Sequence, residues 1–169
     1  MPDRTDDYIV RLTPVTVDKK ASEQSSTMVH YPLPRPRILV LDHDEDVRLA
    51  VCDRLAYMGF DAEGEDNGIS GLTRLVQEHR DHPFSGVLLE IDMPLLGGMA
   101  VLQELKDRHP QVPVIVMADA RYVQKLREAV NLWAHDYLVK PFDTELLRRK
   151  CHAVFGAGSS KVSSVGGAG

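Results

Sequence analysis

From about residue 37 to residue 155, short unbroken apolar runs alternate with stretches in which apolar residues recur every three or four positions. Ile38-Leu39-Val40-Leu41 has no polar interruption, the pattern of a strand buried on both faces. Val47, Val51, Leu55 and Met58 follow at helical spacing, with Gly59 placed to end that helix. Residues 60–63 are a weaker strand. Ile69, Leu72, Leu75 and Val76 mark a second helix, entered through Asn67-Gly68. Gly86-Val87-Leu88-Leu89 predicts a third strand, followed by a loop over residues 92–98 and a third helix carrying Met99, Leu102 and Leu105. Val114-Ile115-Val116-Met117 is the fourth strand, residues 123–132 the fourth helix and residues 137–139 the fifth strand. The last helix runs to Phe155, with Asp143 or Thr144 as N-cap and Glu145 just inside it. Five strands alternating with five helices predict an α/β fold: three layers, with a doubly wound parallel sheet covered on both faces. In such folds the site lies beyond the carboxyl ends of the strands, near the switch in strand order.

The flanks have a different texture. Residues 1–36 are polar and broken, and read as a flexible extension. Tyr8, Val10 and Leu12 alternate like a short strand, residues 19–27 resemble a linker, and a proline-rich lead-in ends at Pro36. Residues 157–169 are rich in glycine and serine, as in a tail or interdomain linker. One domain over residues 37–156 remains.

The 169 residues are 43% hydrophobic and 27% charged, the profile of a globular protein. A formal net charge of -5 and the absence of a basic, aromatic-rich patch predict no nucleic-acid partner. No apolar run approaches the ~20 residues of a membrane span, and the acidic start is unlike a secretory signal, so the expected place is the cytoplasm, with no membrane partner. Cys52 and Cys151 lack metal-ligand spacing and read as small, half-buried or core residues.

Chemistry gathers at the strand ends. Asp42-His43-Asp44-Glu45-Asp46 follows strand one, Glu90-Ile91-Asp92 strand three, Ala118-Asp119 strand four and Lys140-Pro141 strand five. Taken singly, Asp44 to Asp46 would cap a helix, Asp119 would cap the fourth helix, and Lys140-Pro141 would be a surface turn. Taken together, acids facing a lysine at one sheet edge suit a divalent cation and a phosphoryl group. His43 with Asp42 and Glu90 also offers one nitrogen and two carboxylates to a transition metal, although one histidine among acids does not by itself make a site.

The blocks Ile38 to Arg48, Leu88 to Pro94, Pro113 to Ala118 and Asp136 to Phe142 resemble the signature segments of the bacterial response-regulator receiver domain, over about residues 37–155. The resemblance implies a flavodoxin-like sheet of strand order 2-1-3-4-5 and a cis bond before Pro141. It also implies a second acid at position 43, an aspartate phosphoacceptor at 90, a threonine or serine at 118 and a backbone carbonyl ligand at 92. Here those residues are His43, Glu90, Ala118 and Asp92; Tyr137 and Lys140 stand as the family has them. Imidazole suits magnesium badly. Glu90 carries its carboxylate about 1.5 Å, one methylene, further out, and Ala118 has no hydroxyl to give a phosphoryl oxygen.

These departures predict a receiver that is degenerate at its phosphorylation site. It is no enzyme and needs no cofactor, magnesium being disfavoured, with Asp42 alone a weak metal ligand. Glu90, paired with Lys140, partly imitates a phosphorylated aspartate, or else is a tolerated residue in a silent pocket. A protein partner is expected on the face of helix four, strand five and helix five; a homodimer is a further option. The alternatives are a working magnesium-dependent phosphoacceptor, or a regulatory module of a longer protein. Because Ala118 leaves room, Tyr137 is expected to turn inward, where ~80 Å² of buried ring contributes about 2 kcal/mol.

Overall fold

The structure is a computed structural model that describes residues 34–77 and 82–156. The expectations for residues 1–33 and 157–169 lie outside the described residues. Within the unit that begins at Arg35, the order is β1 (Arg37–Leu41), α1 (Glu45–Tyr57), β2 (Asp61–Glu65), α2 (Gly68–Val76), β3 (Phe84–Glu90), α3 (Gly98–Arg108) and β4 (Val114–Asp119). A 3-10 turn (Ala120–Tyr122), α4 (Val123–Leu132), β5 (Asp136–Lys140) and α5 (Thr144–Phe155) complete it. The five strands pair in parallel in the order β2-β1-β3-β4-β5.

Strand alternation builds two cores. Leu39, Leu41, Val87, Leu89, Val114, Val116 and Ala118 face one way, against Val101, Leu102 and Leu105 of α3 and Leu126 and Ala129 of α4. Ile38, Val40, Leu88, Ile115, Met117 and Leu138 face the other, against Val51 and Leu55 of α1 and Leu147, Cys151 and Phe155 of α5. Successive side chains of a strand point to opposite faces, which is why an unbroken apolar run was needed.

Local signals set the helix ends. The carboxylate of Asp44 accepts from the backbone N–H of Val47 at 3.1 Å, that of Asp143 from Leu146 at 2.7 Å, and the Asn67 side-chain oxygen from Ser70 at 2.9 Å. Gly59 takes φ +93 just past α1, a conformation glycine adopts without strain. Asp119 caps differently from the expectation: it accepts from Arg121 at 3.1 Å and so closes the 3-10 turn rather than α4.

Two sequence readings are corrected. Phe60 is not in the second strand; it is buried just before β2 and lies 5.1 Å, ring to ring, from His152. In α2, Leu75 is buried and Leu72 packs against the core, whereas Ile69 and Val76 are exposed and Gly68 and Gly71 are buried. A side-chain carbon on Gly71 would come within 2.4 Å of the Leu41 side chain. Gly71 therefore brings the helix close to β1, and Gly68 meets Val101 of α3, contacts that apolar spacing does not register.

Candidate functional site

Asp42 and His43 leave the end of β1, Glu90 ends β3 and Lys140 ends β5, so three strand ends converge. Asp42 is fully buried and Glu90 nearly so. The Lys140 ammonium reaches both: Nζ lies 2.6 Å from Asp42 Oδ2 and 2.8 Å from Glu90 Oε1. The other Glu90 oxygen, Oε2, accepts from the His43 backbone N–H at 3.2 Å and lies 2.5 Å from His43 Nδ1. Asp42 Oδ1 accepts from the backbone N–H of Asp44 at 3.0 Å. Both oxygens of both buried carboxylates are thus engaged, as burial demands.

Burial is the strongest influence on each of these groups, and it does not win everywhere. It raises the Asp42 carboxyl above its ordinary value, against the hydrogen bond and attraction of Lys140 and with the help of the Glu90 charge. It pushes Glu90 upward too, but the bonds from Lys140 and His43 overcome it and hold that carboxyl below its ordinary value. Burial opposes the Lys140 charge, yet bonding to Asp42 and Glu90 carries its pKa upward. Lys140 remains an ammonium.

The sequence-expected residues divide into two groups. Asp42, His43, Glu90 and Lys140 form the cluster, and the Lys140–Pro141 bond is cis. Asp92 lines the same cavity of about 640 Å³ but stands apart: it pairs with Lys125 at 3.4 Å and accepts from the Tyr122 hydroxyl, which holds its carboxyl low. Ala118 is fully buried in the core beneath β4, where Tyr122 and Val139 are among the side chains packed against its cluster.

Tyr137 overturns an expectation. It is 45% exposed, with Lys150 Nζ 4.8 Å from its ring centre and Lys150 bonded in turn to Asp136 at 2.5 Å. The inward estimate counted only ring area. It omitted the cost of drying the hydroxyl and the cation-π contact that the ring keeps outside with Lys150.

Four site neighbours were not singled out from the sequence. Arg48 donates to the Asp42 carbonyl at 2.7 Å, and a side-chain carbon on Gly64 would come within 2.9 Å of the Arg48 stem, so a bare glycine leaves that path open. Arg54 donates to the Phe142 carbonyl at 3.3 Å, and Tyr122 and Lys125 hold Asp92. Arg48 and Arg54 occupy ordinary helix positions and each reaches a backbone carbonyl outside its helix.

Asp42, His43 and Glu90 each bring one ligand atom within 4.8 Å of the others. Magnesium demands a near-octahedral set of oxygens. This trio supplies a nitrogen, and both carboxylates are shared with Lys140. The donor set does not fit magnesium.

Residues 38–152 match the family model described as "Response regulator receiver domain". Among curated proteins, the regulatory protein AtoC of Escherichia coli is 33% identical over 111 residues, 66% of this chain and 23% of its own length. The transcriptional regulatory protein PrrA of Mycobacterium bovis is 32% identical over 130 residues, 76% of this chain and 54% of its own. The chain thus spans about a quarter to a half of the curated relatives it matches. The receiver domain of NtrX from Brucella abortus superposes with a TM-score of 0.65 at 27% identity, covering 70% of this chain and 97% of that one. Fold, strand order and family model agree: the chain belongs to the response regulator receiver domain family.

Proposed function

We propose that this receiver is degenerate at its phosphorylation site and signals by binding a protein partner, with Glu90 as a resident carboxylate. The observation that carries this reading is the engagement of Glu90. Lys140 holds Oε1, and the backbone and ring of His43 hold Oε2. An attacking carboxylate oxygen must be free to approach phosphorus, and the phosphoryl charge must be met by a cation and donors as it transfers. Here neither oxygen is free, the metal donors do not fit magnesium, and Ala118 has no hydroxyl to donate. Glu90 supplies part of the charge that a phosphorylated aspartate would bring.

The partner face we assign is α4, β5 and α5. It carries the exposed Tyr137, and Val130 is partly exposed on α4. A second copy of the chain is the alternative occupant. One relative, from Synechocystis, is named as a DNA-binding regulator and shares 48% of its length with the match. That weighs against extending the expectation of no nucleic-acid partner to any longer protein containing this domain. Among the described residues no helix is long and apolar enough to cross a membrane.

Intact mass after incubation with magnesium and a small phosphodonor, or with beryllofluoride, tests the proposal. We expect no adduct on the wild-type chain or on Glu90→Asp, and labelling of the triple variant His43→Asp, Glu90→Asp, Ala118→Thr. A phosphoryl group on the wild-type chain that Glu90→Gln abolishes would overturn it.

A further inference from the structure

We propose that copies of this chain associate head to tail, the acidic outer face of α1 in one copy docking on the basic α4, β5 and α5 face of the next. The inference rests on the reading of that second face as a protein-docking surface, and names its occupant.

Charge across the sheet is the first reason. Residues 41–66, which hold α1 and β2, carry nine aspartates and glutamates against two arginines. Residues 121–150, which hold α4, β5 and most of α5, carry seven lysines and arginines against four acids. β2 and β5 are the two edges of the sheet, with α1 packed on β1 and β2 and α4 on β4 and β5. Opposite charges therefore stand at opposite edges of one domain.

The second reason is which charges are already spent. Both arginines of α1 turn inward to backbone carbonyls, Arg48 to Asp42 and Arg54 to Phe142. The outer stripe is left with Glu45, Leu49, Asp53 and Tyr57, spaced four residues apart and all exposed. Leu49 is 55% and Tyr57 92% exposed, and neither acid has an ion pair among the described residues. On the other face Arg148 is held by Glu145 and Lys150 by Asp136. Arg127 and Arg149 are exposed there, without an ion pair among the described residues, and share the face with Tyr137 and Val130. A single exposed leucine or tyrosine is ordinary. Two patches that each combine apolar side chains with unpaired charge, of opposite sign, are complementary.

The occupant follows from the reach of the charges. A nucleic acid would suit the arginines, but its phosphates run past the patch and meet the acidic side of the domain. The α1 stripe confines its two acids to about 12 Å of helix. A twofold pair through the basic face would set like charges together. Because the two patches lie at opposite edges, one pair of molecules cannot satisfy both. The contact is therefore heterologous, and each end stays open to a further copy. Exposed ion pairs are weak and screened, so the association is weak and sensitive to salt.

Sedimentation velocity of the full 169-residue chain tests this. In about 0.01 M salt, where charges act over about 30 Å, we expect the weight-average coefficient to rise with concentration past that of a dimer. In about 1 M salt, where they act over about 3 Å, it should fall back to the monomer value. The pair Arg127→Glu, Arg149→Glu and the pair Glu45→Lys, Asp53→Lys should each abolish the rise. An equimolar mixture of the two variants should restore it, since every reversed face then meets its opposite. A wild-type chain that stays monomeric or stops at a dimer would overturn the proposal, as would either variant associating alone like the wild type. Should a variant fail to fold, wild-type amide signals followed with rising concentration decide the question. Signals of α1 and of α4 and α5 should move together, and movement confined to one set refutes the pairing. A monomeric chain that also takes no phosphoryl group overturns this proposal and leaves the degenerate-site reading standing. Self-association with a phosphoryl group on Glu90 does the reverse.

Discussion

Lys140 is the residue on which the site turns. Its ammonium is bonded to two buried carboxylates whose like charges would otherwise repel each other. Removing it leaves both facing each other without a partner, and breaking a buried ion pair from one side costs about 3–5 kcal/mol. We expect Lys140→Met to lower the unfolding free energy by that amount in urea titration. The double change Lys140→Met, Glu90→Gln should recover a substantial part, because one carboxylate is then neutral. Equal losses in the single and double variants would show that Lys140 acts through packing alone. Tyr137 behaves in the opposite way. Half exposed and resting against Lys150, it should tolerate Tyr137→Ala with a loss under about 1 kcal/mol. A loss near the 2 kcal/mol expected of an inward ring would restore that reading.

Helix ends and helix contacts position the site at the next scale. Asp143 satisfies the first turn of α5 through Leu146, so Asp143→Ala should cost about 1 kcal/mol. Glycines do the opposite work at α3. A side-chain carbon on Gly98 would fall 2.2 Å from the Glu90 carbonyl oxygen and 2.6 Å from the Ile91 Cα, both backbone atoms that cannot swing away. We expect Gly98→Ala to destabilise the fold by about 1–3 kcal/mol. It should also move the backbone that carries Glu90, visible as shifted amide signals at residues 89–91. Unchanged signals with unchanged stability would mean that α3 can retreat from β3. The glycines of α2 explain why part of its buried face was missed: apolar periodicity registers Leu72 and Leu75 and is silent at Gly68 and Gly71, where the contact is made without a side chain.

For the whole molecule, the buried cluster links stability to pH in two opposed windows. Glu90 has a folded pKa below its ordinary 4.5, so its contribution is present above that value and is lost as pH falls through the folded pKa. Asp42 has a folded pKa above its ordinary 3.8, so the folded state loses stability as pH rises from that value through the folded pKa. Denaturant midpoints measured between about pH 3 and 7 should therefore show Asp42→Asn gaining on the wild type as pH rises. Glu90→Gln should do the reverse, losing against it. A difference independent of pH would remove Asp42 from this role. The sequence by itself determined the three-layer fold, the strand order through the resemblance, and the strand ends at which Asp42, His43, Glu90 and Lys140 meet. It could do so because strand burial and sheet topology are written in short-range periodicity, and strand ends in a parallel sheet share one edge. Only the tertiary structure decided who pairs with whom. It put Lys140 between two carboxylates, seated His43 on Glu90, drew Asp92 away to Tyr122 and Lys125, and left Tyr137 in solvent. Those outcomes depend on distances between chain segments up to 98 residues apart and on competition for a few hydrogen bonds, neither of which a local pattern records.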